Sequence, residues 1–297
     1  MNIKKLKIKK INDEDWSGRF VDETDYDVLH QKSCILVEDP KEPPVAVFLK
    51  GVIPTRLNEL ALMGFKAMGA FGTNNRGTAS GIKAEYKIKE NGMRSNTTRV
   101  RNSWAVQSGV LGYFERDPRR PYCHACAWNM KHPDKFHQFF VPVTNHVEGL
   151  FKEHCRQAWE YQRSFADRTN KAWLIGDTCF TSITVNKNFR TACHLDAGDL
   201  TNGRSCMTVM EQGEYGGANL VLPNYRVAFD IRMGDMIIFD PHQFHGNTQI
   251  VKKTPAAARY SIVYYYRELV QYCQSPSAEL DFAKNRKQGT TLFPERK

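Results

Sequence analysis

His194 and Asp196 stand at i and i+2 in the run RTACHLD, a spacing that at a strand end sends both side chains out of one face. An imidazole beside a carboxylate needs one more histidine to make the two-histidine, one-carboxylate set that holds ferrous iron and leaves positions open for substrate and dioxygen. His245 is placed to supply it. It follows the apolar run 236–239 across a short loop, from which a β-sandwich returns a ligand to the mouth where His194 emerges. The HxD spacing alone is weak evidence, since a chain with nine histidines meets it by chance about once in every two such chains. Here it recurs at His132 and Asp134, where a polar stretch around Pro133 reads as an exposed loop. His242 follows Pro241 and is read as a non-ligand restrained in the loop.

The run RYSIVYYYR carries a second piece of chemistry. Alternation puts Arg259, Ser261, Val263, Tyr265 and Arg267 on one face and Tyr260, Ile262, Tyr264 and Tyr266 on the other. A guanidinium and a hydroxyl two residues apart can hold a carboxylate through parallel hydrogen bonds. An edge strand with exposed arginines and packed tyrosines is the bland alternative, and Arg190 is the next candidate for an anion.

These residues need a scaffold. From 173 to 266 the chain is a series of short β-rich runs (TCFTSITVN, RTACHLD, SCMTVME, ANLVLP, YRVAFDI, DMIIFD and YSIVYYY) separated by Gly, Pro, Asn and Asp. That texture predicts an antiparallel sandwich or jelly roll with flanking helices, not a βαβ sheet. Strands are expected near 34–37 and 45–49, a helix over 56–68, and a long helix from a Thr144 or Asn145 cap to about 167. The domain reading is a basic arm over 1–30, a supporting region with helices over 31–170, a catalytic core over 171–268 and a tail over 269–297. Within 69–121, RGTASG and MRSNTTRVRNS read as a solvated loop or a phosphate-contacting surface.

With 297 residues and 41% hydrophobic content the chain can bury a sizeable core. Its apolar runs fall far short of the roughly 20 residues of a membrane helix, and its basic start has no apolar stretch with a cleavage site. An intracellular, unsecreted protein with no membrane association is expected. The net charge of +10 suits a polyanionic partner such as DNA, and nothing calls for an obligate protein partner. Eight scattered cysteines read as reduced thiols in a reducing compartment. Cys123 and Cys126 form a lone CxxC without the second ligand pair of a structural zinc site.

The segments HLDAGDL, GEYGGANLVLPNYRVAFDIRMGDMIIFDPHQFHGN and RYSIVYYYR resemble the TET/JBP family of nucleic-acid-base oxygenases, strongly over 171–268 and more loosely back through VFLKGVIP and RRPYCHACAW. The resemblance implies a double-stranded β-helix, iron(II) on His194, Asp196 and His245, and 2-oxoglutarate on Arg259 and Ser261, with dioxygen as the other cosubstrate. It also implies that Asp199 hydrogen-bonds the target base and that Tyr265 stacks on it after flipping from the duplex. At the position where cytosine-oxidising members carry a histidine donor, this chain has Arg267. Asp199 with Arg267 suits either 5-methylcytosine or thymine. The implied activity is hydroxylation of a 5-methylpyrimidine methyl group in DNA, with succinate and carbon dioxide formed. The rival is a 2-oxoglutarate oxygenase acting on an amino acid, protein side chain or other small molecule; the other is a non-enzymatic DNA-binding module, against which the intact triad argues.

Overall fold

The computed structural model describes residues 3–82, 87–88, 94–95, 104–287 and 291–293. Its largest sheet runs, in spatial order, Lys4–Lys7, Cys34–Val37, Ala46–Leu49, Met236–Phe239, Ser205–Gln212, Ala258–Tyr265, Ser182–Lys187, Ser108–Phe114 and His124–Ala125. A smaller sheet orders Gly246–Asn247, Leu220–Leu222, Val227–Phe229 and Val28–His30. Apart from the pairings of Lys4–Lys7 and Val28–His30, which are parallel, the neighbours within both sheets run antiparallel. The segment read as a basic arm thus supplies an edge strand to each sheet.

Alternation sorts the large sheet's side chains into two cores. Ala46, Phe48, Met207, Val209, Ile237 and Phe239 point at the small sheet and meet Leu220, Leu222 and Phe229. The residues between them, including Val47, Leu49, Cys206, Met210, Met236 and Ile238, face the helices. Burial on both faces explains why these strands read as near-continuous apolar runs. The result is a jelly roll with helices against one side, as expected.

The helices depart from the expected pattern. Thr55–Met68 agrees closely with the sequence reading, and its buried Gly64 lies where an added Cβ would come within 2.7 Å of the Phe140 ring. Instead of one long helix there are two, Val141–His154 and Arg156–Arg168, separated at Cys155, whose φ of −142° is not helical. The first begins before the expected cap: Pro142 occupies its first turn, where a missing N–H costs nothing, and the Thr144 hydroxyl donates back to the Phe140 carbonyl. His132 and Asp134 are not in an exposed loop. Pro133 starts the helix Pro133–Phe139, so the two residues flank a helix start and share no strand face.

The expectation of wholly reduced cysteines is also corrected, because Cys123 and Cys273 form a disulfide and the other six are free and buried. Cys126 does not act with Cys123. It caps the helix Ala127–Lys131, its sulfur accepting from the Asn129 backbone N–H. Among the described residues no helix is long and apolar enough to cross a membrane.

Candidate metal and cosubstrate site

RTACHLD does not continue a ladder. His194 makes an isolated antiparallel bridge with His245, each backbone N–H donating to the other's carbonyl at 3.1 and 3.2 Å. Gly246 permits this approach, since a Cβ there would lie 3.0 Å from the Cys193 nitrogen. The Asp196 N–H donates to the Pro241 carbonyl at 3.0 Å, closing the loop over the same mouth. Backbone bonds therefore bring three distant side chains together.

The ligand atoms of His194, Asp196 and His245 all lie within 4.8 Å of one another, and no other such cluster occurs among the described residues. His194 Nδ1 faces the Ala192 carbonyl at 2.8 Å and His245 Nδ1 faces the Gln243 carbonyl at 2.9 Å. Each Nδ1 accordingly carries its proton, which leaves the Nε2 lone pair for a metal. Both Nε2 atoms converge on Asp196, at 3.5 Å from Oδ1 and 3.4 Å from Oδ2. Burial and the neighbouring His245 pull His194 down to about 4, so it is a neutral donor. Burial pushes Asp196 up, but the His245 contact overcomes this and keeps it ionised; burial lowers His245, and the same contact more than reverses it. Two imidazoles and a carboxylate with open space beside them fit a catalytic ferrous ion.

That space is a cavity of about 360 Å³, lined by all eight site residues expected from the sequence: His194, Asp196, Asp199, His245, Arg259, Ser261, Tyr265 and Arg267. The alternation of Ala258–Tyr265 is borne out, since Tyr260, Ile262 and Tyr264 lie in the helix-side core. Arg259 is 3% exposed, and its Nε and Nη2 have no hydrogen-bond partner. A buried guanidinium with two N–H groups left unpaired calls for a further acceptor, and a carboxylate matches its planar fork. The site thus fits 2-oxoglutarate as well as iron.

Farther along the strand, the Ser205 hydroxyl donates to Asp199 Oδ2 at 2.8 Å, and burial together with the Asp196 charge pushes the Asp199 carboxyl well above its usual range. The Tyr265 hydroxyl meets Thr184 at 3.2 Å. Arg267 is engaged by Glu115, which accepts from both Nε and Nη2.

Three lesser candidates fall away. His242 pairs with Asp240, Arg190 donates to the Val21 carbonyl and lies over Phe20, and neither lines the cavity. His132 packs on Trp128. Sequence reading missed Glu115, and also Arg76, Ser108 and Asn186. The last three form a hydrogen-bonded row in the cavity wall, Arg76 Nε to Ser108 and Ser108 to Asn186 at 2.8 and 2.6 Å, with Asn186 then 3.4 Å from Ser261. Alternation in TSITVN would have found Asn186, which shares a face with Thr184. RGTASG is no solvated loop: Gly77–Ser80 is a 3-10 turn with Gly77, Ala79 and Ser80 buried. The solvated loop or phosphate-contacting surface read over 93–103 lies outside the described residues apart from Arg94–Ser95.

Residues 109–268 match the family described as Tet_JBP, the oxygenase domain of the 2OGFeDO superfamily. Thymine dioxygenase JBP1 of Trypanosoma brucei brucei is 33% identical over 164 residues, 54% of this chain and 19% of that protein. Bifunctional helicase and thymine dioxygenase JBP2 of Trypanosoma brucei brucei (strain 927/4 GUTat10.1) is 28% identical over 253 residues, 84% of this chain and 21% of that protein. The chain thus spans about a fifth of the length of these relatives. The solved structure of NgTET1 in complex with 5mC DNA superposes with a TM-score of 0.61 at 14% identity, covering 96% of this chain and 91% of that one. This likeness bears out the fold.

Proposed function

The chain belongs to the Tet_JBP family of the 2OGFeDO superfamily, and from that premise we propose that it hydroxylates the methyl group of a 5-methylpyrimidine base in DNA, using iron(II), 2-oxoglutarate and dioxygen. The observation that carries the reading is the juxtaposition, in one cavity, of a His-Asp-His cluster and a buried guanidinium whose Nε and Nη2 lack acceptors. In this reading His194, Asp196 and His245 hold iron, while Arg259 and Ser261 hold the far carboxylate of 2-oxoglutarate. Iron, when bound, would let dioxygen act as the oxidant, with two electrons taken from 2-oxoglutarate as it becomes succinate and carbon dioxide and two from the base methyl group.

The protein's own contribution is placement. Carboxylate capture at Arg259 orients the cosubstrate toward the triad. Asp199, Tyr265 and Arg267 lie on the cavity wall, where they would receive a base turned out of the duplex. The net charge of +10 suits the phosphates of DNA, and a DNA substrate would place the enzyme inside the cell. The relatives named thymine dioxygenases favour thymine over 5-methylcytosine.

The test is nucleoside mass spectrometry after incubating the iron-loaded protein and 2-oxoglutarate with DNA carrying both bases. Formation of a 5-hydroxymethyl base that depends on 2-oxoglutarate supports the reading. Succinate release with neither base altered, but stimulated by an amino acid or peptide, would replace it with the small-substrate alternative.

A further inference from the structure

A long arginine side chain reads a base edge only if something fixes where its guanidinium points, because its flexible stem otherwise samples many directions. The backbone around Arg267 is already fixed. Arg267 and Asp199 form an antiparallel bridge, the Glu268 N–H donates to the Gly198 carbonyl at 3.1 Å, and the Arg267 N–H donates to Thr181 Oγ1 at 2.9 Å. These bonds place two Cα atoms side by side and leave the guanidinium undetermined.

The guanidinium is fixed from another element. It lies over the Phe114 ring, 5.2 Å from the centroid, and its Nε and Nη2 both donate to the Glu115 carboxylate just beyond the strand Ser108–Phe114. Both side chains are about four-fifths buried, at 22% and 19% exposure, so the pair is shielded from most solvent screening. Burial pulls the Arg267 pKa down, and the Glu115 pairing more than reverses it.

From this arrangement we infer that Glu115 is a positioning residue for base recognition: it holds the Arg267 guanidinium so that the Nη1 edge, which Glu115 leaves unengaged, meets a ring carbonyl of the pyrimidine. The inference rests on the reading above, in which Arg267 and Asp199 face a base. Asp199, whose backbone is bridged to that of Arg267, is a second carboxyl whose charge acts on the guanidinium. Without Glu115 the guanidinium turns to it, and one internal ion pair then consumes both groups that read the base. With Glu115 in place the arginine's charge is matched inside the wall, and its free edge offers donors alone.

The experiment reads the hydroxymethyl base formed per succinate released on duplex DNA carrying whichever base the wild-type enzyme oxidises faster. Because this ratio compares two products of the same enzyme molecules, a loss of folded or iron-loaded protein cancels. A misaligned base lets 2-oxoglutarate turn over without oxidising DNA. Glu115→Ala and Glu115→Gln should each lower the ratio by about tenfold, a discounted share of what losing one partner of a hydrogen-bonded charge pair costs. In an Arg267→Met background, Glu115→Ala should have no further effect, since its action runs through the arginine. An unchanged ratio in both single variants, or a full loss persisting in the Arg267→Met background, overturns the inference while the oxygenase reading stands. Wild-type protein that oxidises neither base removes that reading, and the inference with it.

Discussion

Arg259→Lys tests the cosubstrate site most directly, because it keeps the charge and removes the shape. The guanidinium is buried, its Nε and Nη2 lack partners, and burial pulls its pKa below the ordinary value. A lysine offers one ammonium where the arginine offers two parallel N–H groups, so one charge-assisted hydrogen bond to the far carboxylate is lost. Such a bond contributes about 1.5 to 3 kcal/mol, which raises the 2-oxoglutarate KM by about 10- to 150-fold. The assay is succinate release against 2-oxoglutarate concentration at saturating iron. Arg259→Met supplies a second readout of opposite sign. It removes a buried cation with two unpaired N–H groups, so the cosubstrate-free protein should melt at a higher temperature, while 2-oxoglutarate should no longer raise the melting temperature. A KM within about threefold of wild type in Arg259→Lys, together with cosubstrate stabilisation retained in Arg259→Met, would refute the assignment of the carboxylate to this residue.

Removing any triad ligand by His194→Ala, Asp196→Ala or His245→Ala should abolish succinate formation, whereas His242→Ala and His132→Ala should leave it at the wild-type rate; a steady-state succinate assay decides. Tyr265→Ala should weaken base capture by roughly 1 to 3 kcal/mol of stacking and raise the KM for DNA without raising that for 2-oxoglutarate. Asp199→Asn should change the ratio of thymine to 5-methylcytosine oxidised on one DNA, because an amide presents a fixed donor and a fixed acceptor. Away from the site, burial raises the Glu279 carboxyl but its bond to Arg116 holds it below the usual 4.5. The stability it contributes is therefore full above that value and lost as pH falls through the lower folded value. Urea midpoints should show wild type losing more stability than Glu279→Gln on acidification through this window.

What the sequence revealed follows from the range of each signal. Alternation in RYSIVYYYR is local, and the two faces it predicts are the two observed, Arg259, Ser261 and Tyr265 lining the cavity and Tyr260, Ile262 and Tyr264 lying in the opposite core. His245 required an assumed sandwich, because its partner His194 is reached only through a long-range backbone bridge. The Cys123–Cys273 bond spans 150 residues and the Arg267–Glu115 pair spans 152, so no local pattern announces either. The helix errors have a different origin. Pro133 and Pro142 are the start signals of their helices, in competition with a polar texture around the first and cap-type residues after the second.

If the proposed assignments hold, the two arginines on the Ala258–Tyr265 strand and just beyond it would let one cavity serve two ligands of different charge. Arg259 keeps Nε and Nη2 without acceptors inside the protein, which suits a cosubstrate that arrives as an anion and supplies the missing charge. Arg267 has its charge matched by Glu115, which suits a nucleobase that is neutral and can offer only a carbonyl dipole. Were Arg267 as unmatched as Arg259, the base end of the cavity would attract phosphate or a second 2-oxoglutarate in preference to a base. Were Arg259 matched like Arg267, the cosubstrate would have to displace an internal ion pair. In the proposed reading, the unequal pairing would give each end of the cavity a different preferred ligand before either one binds.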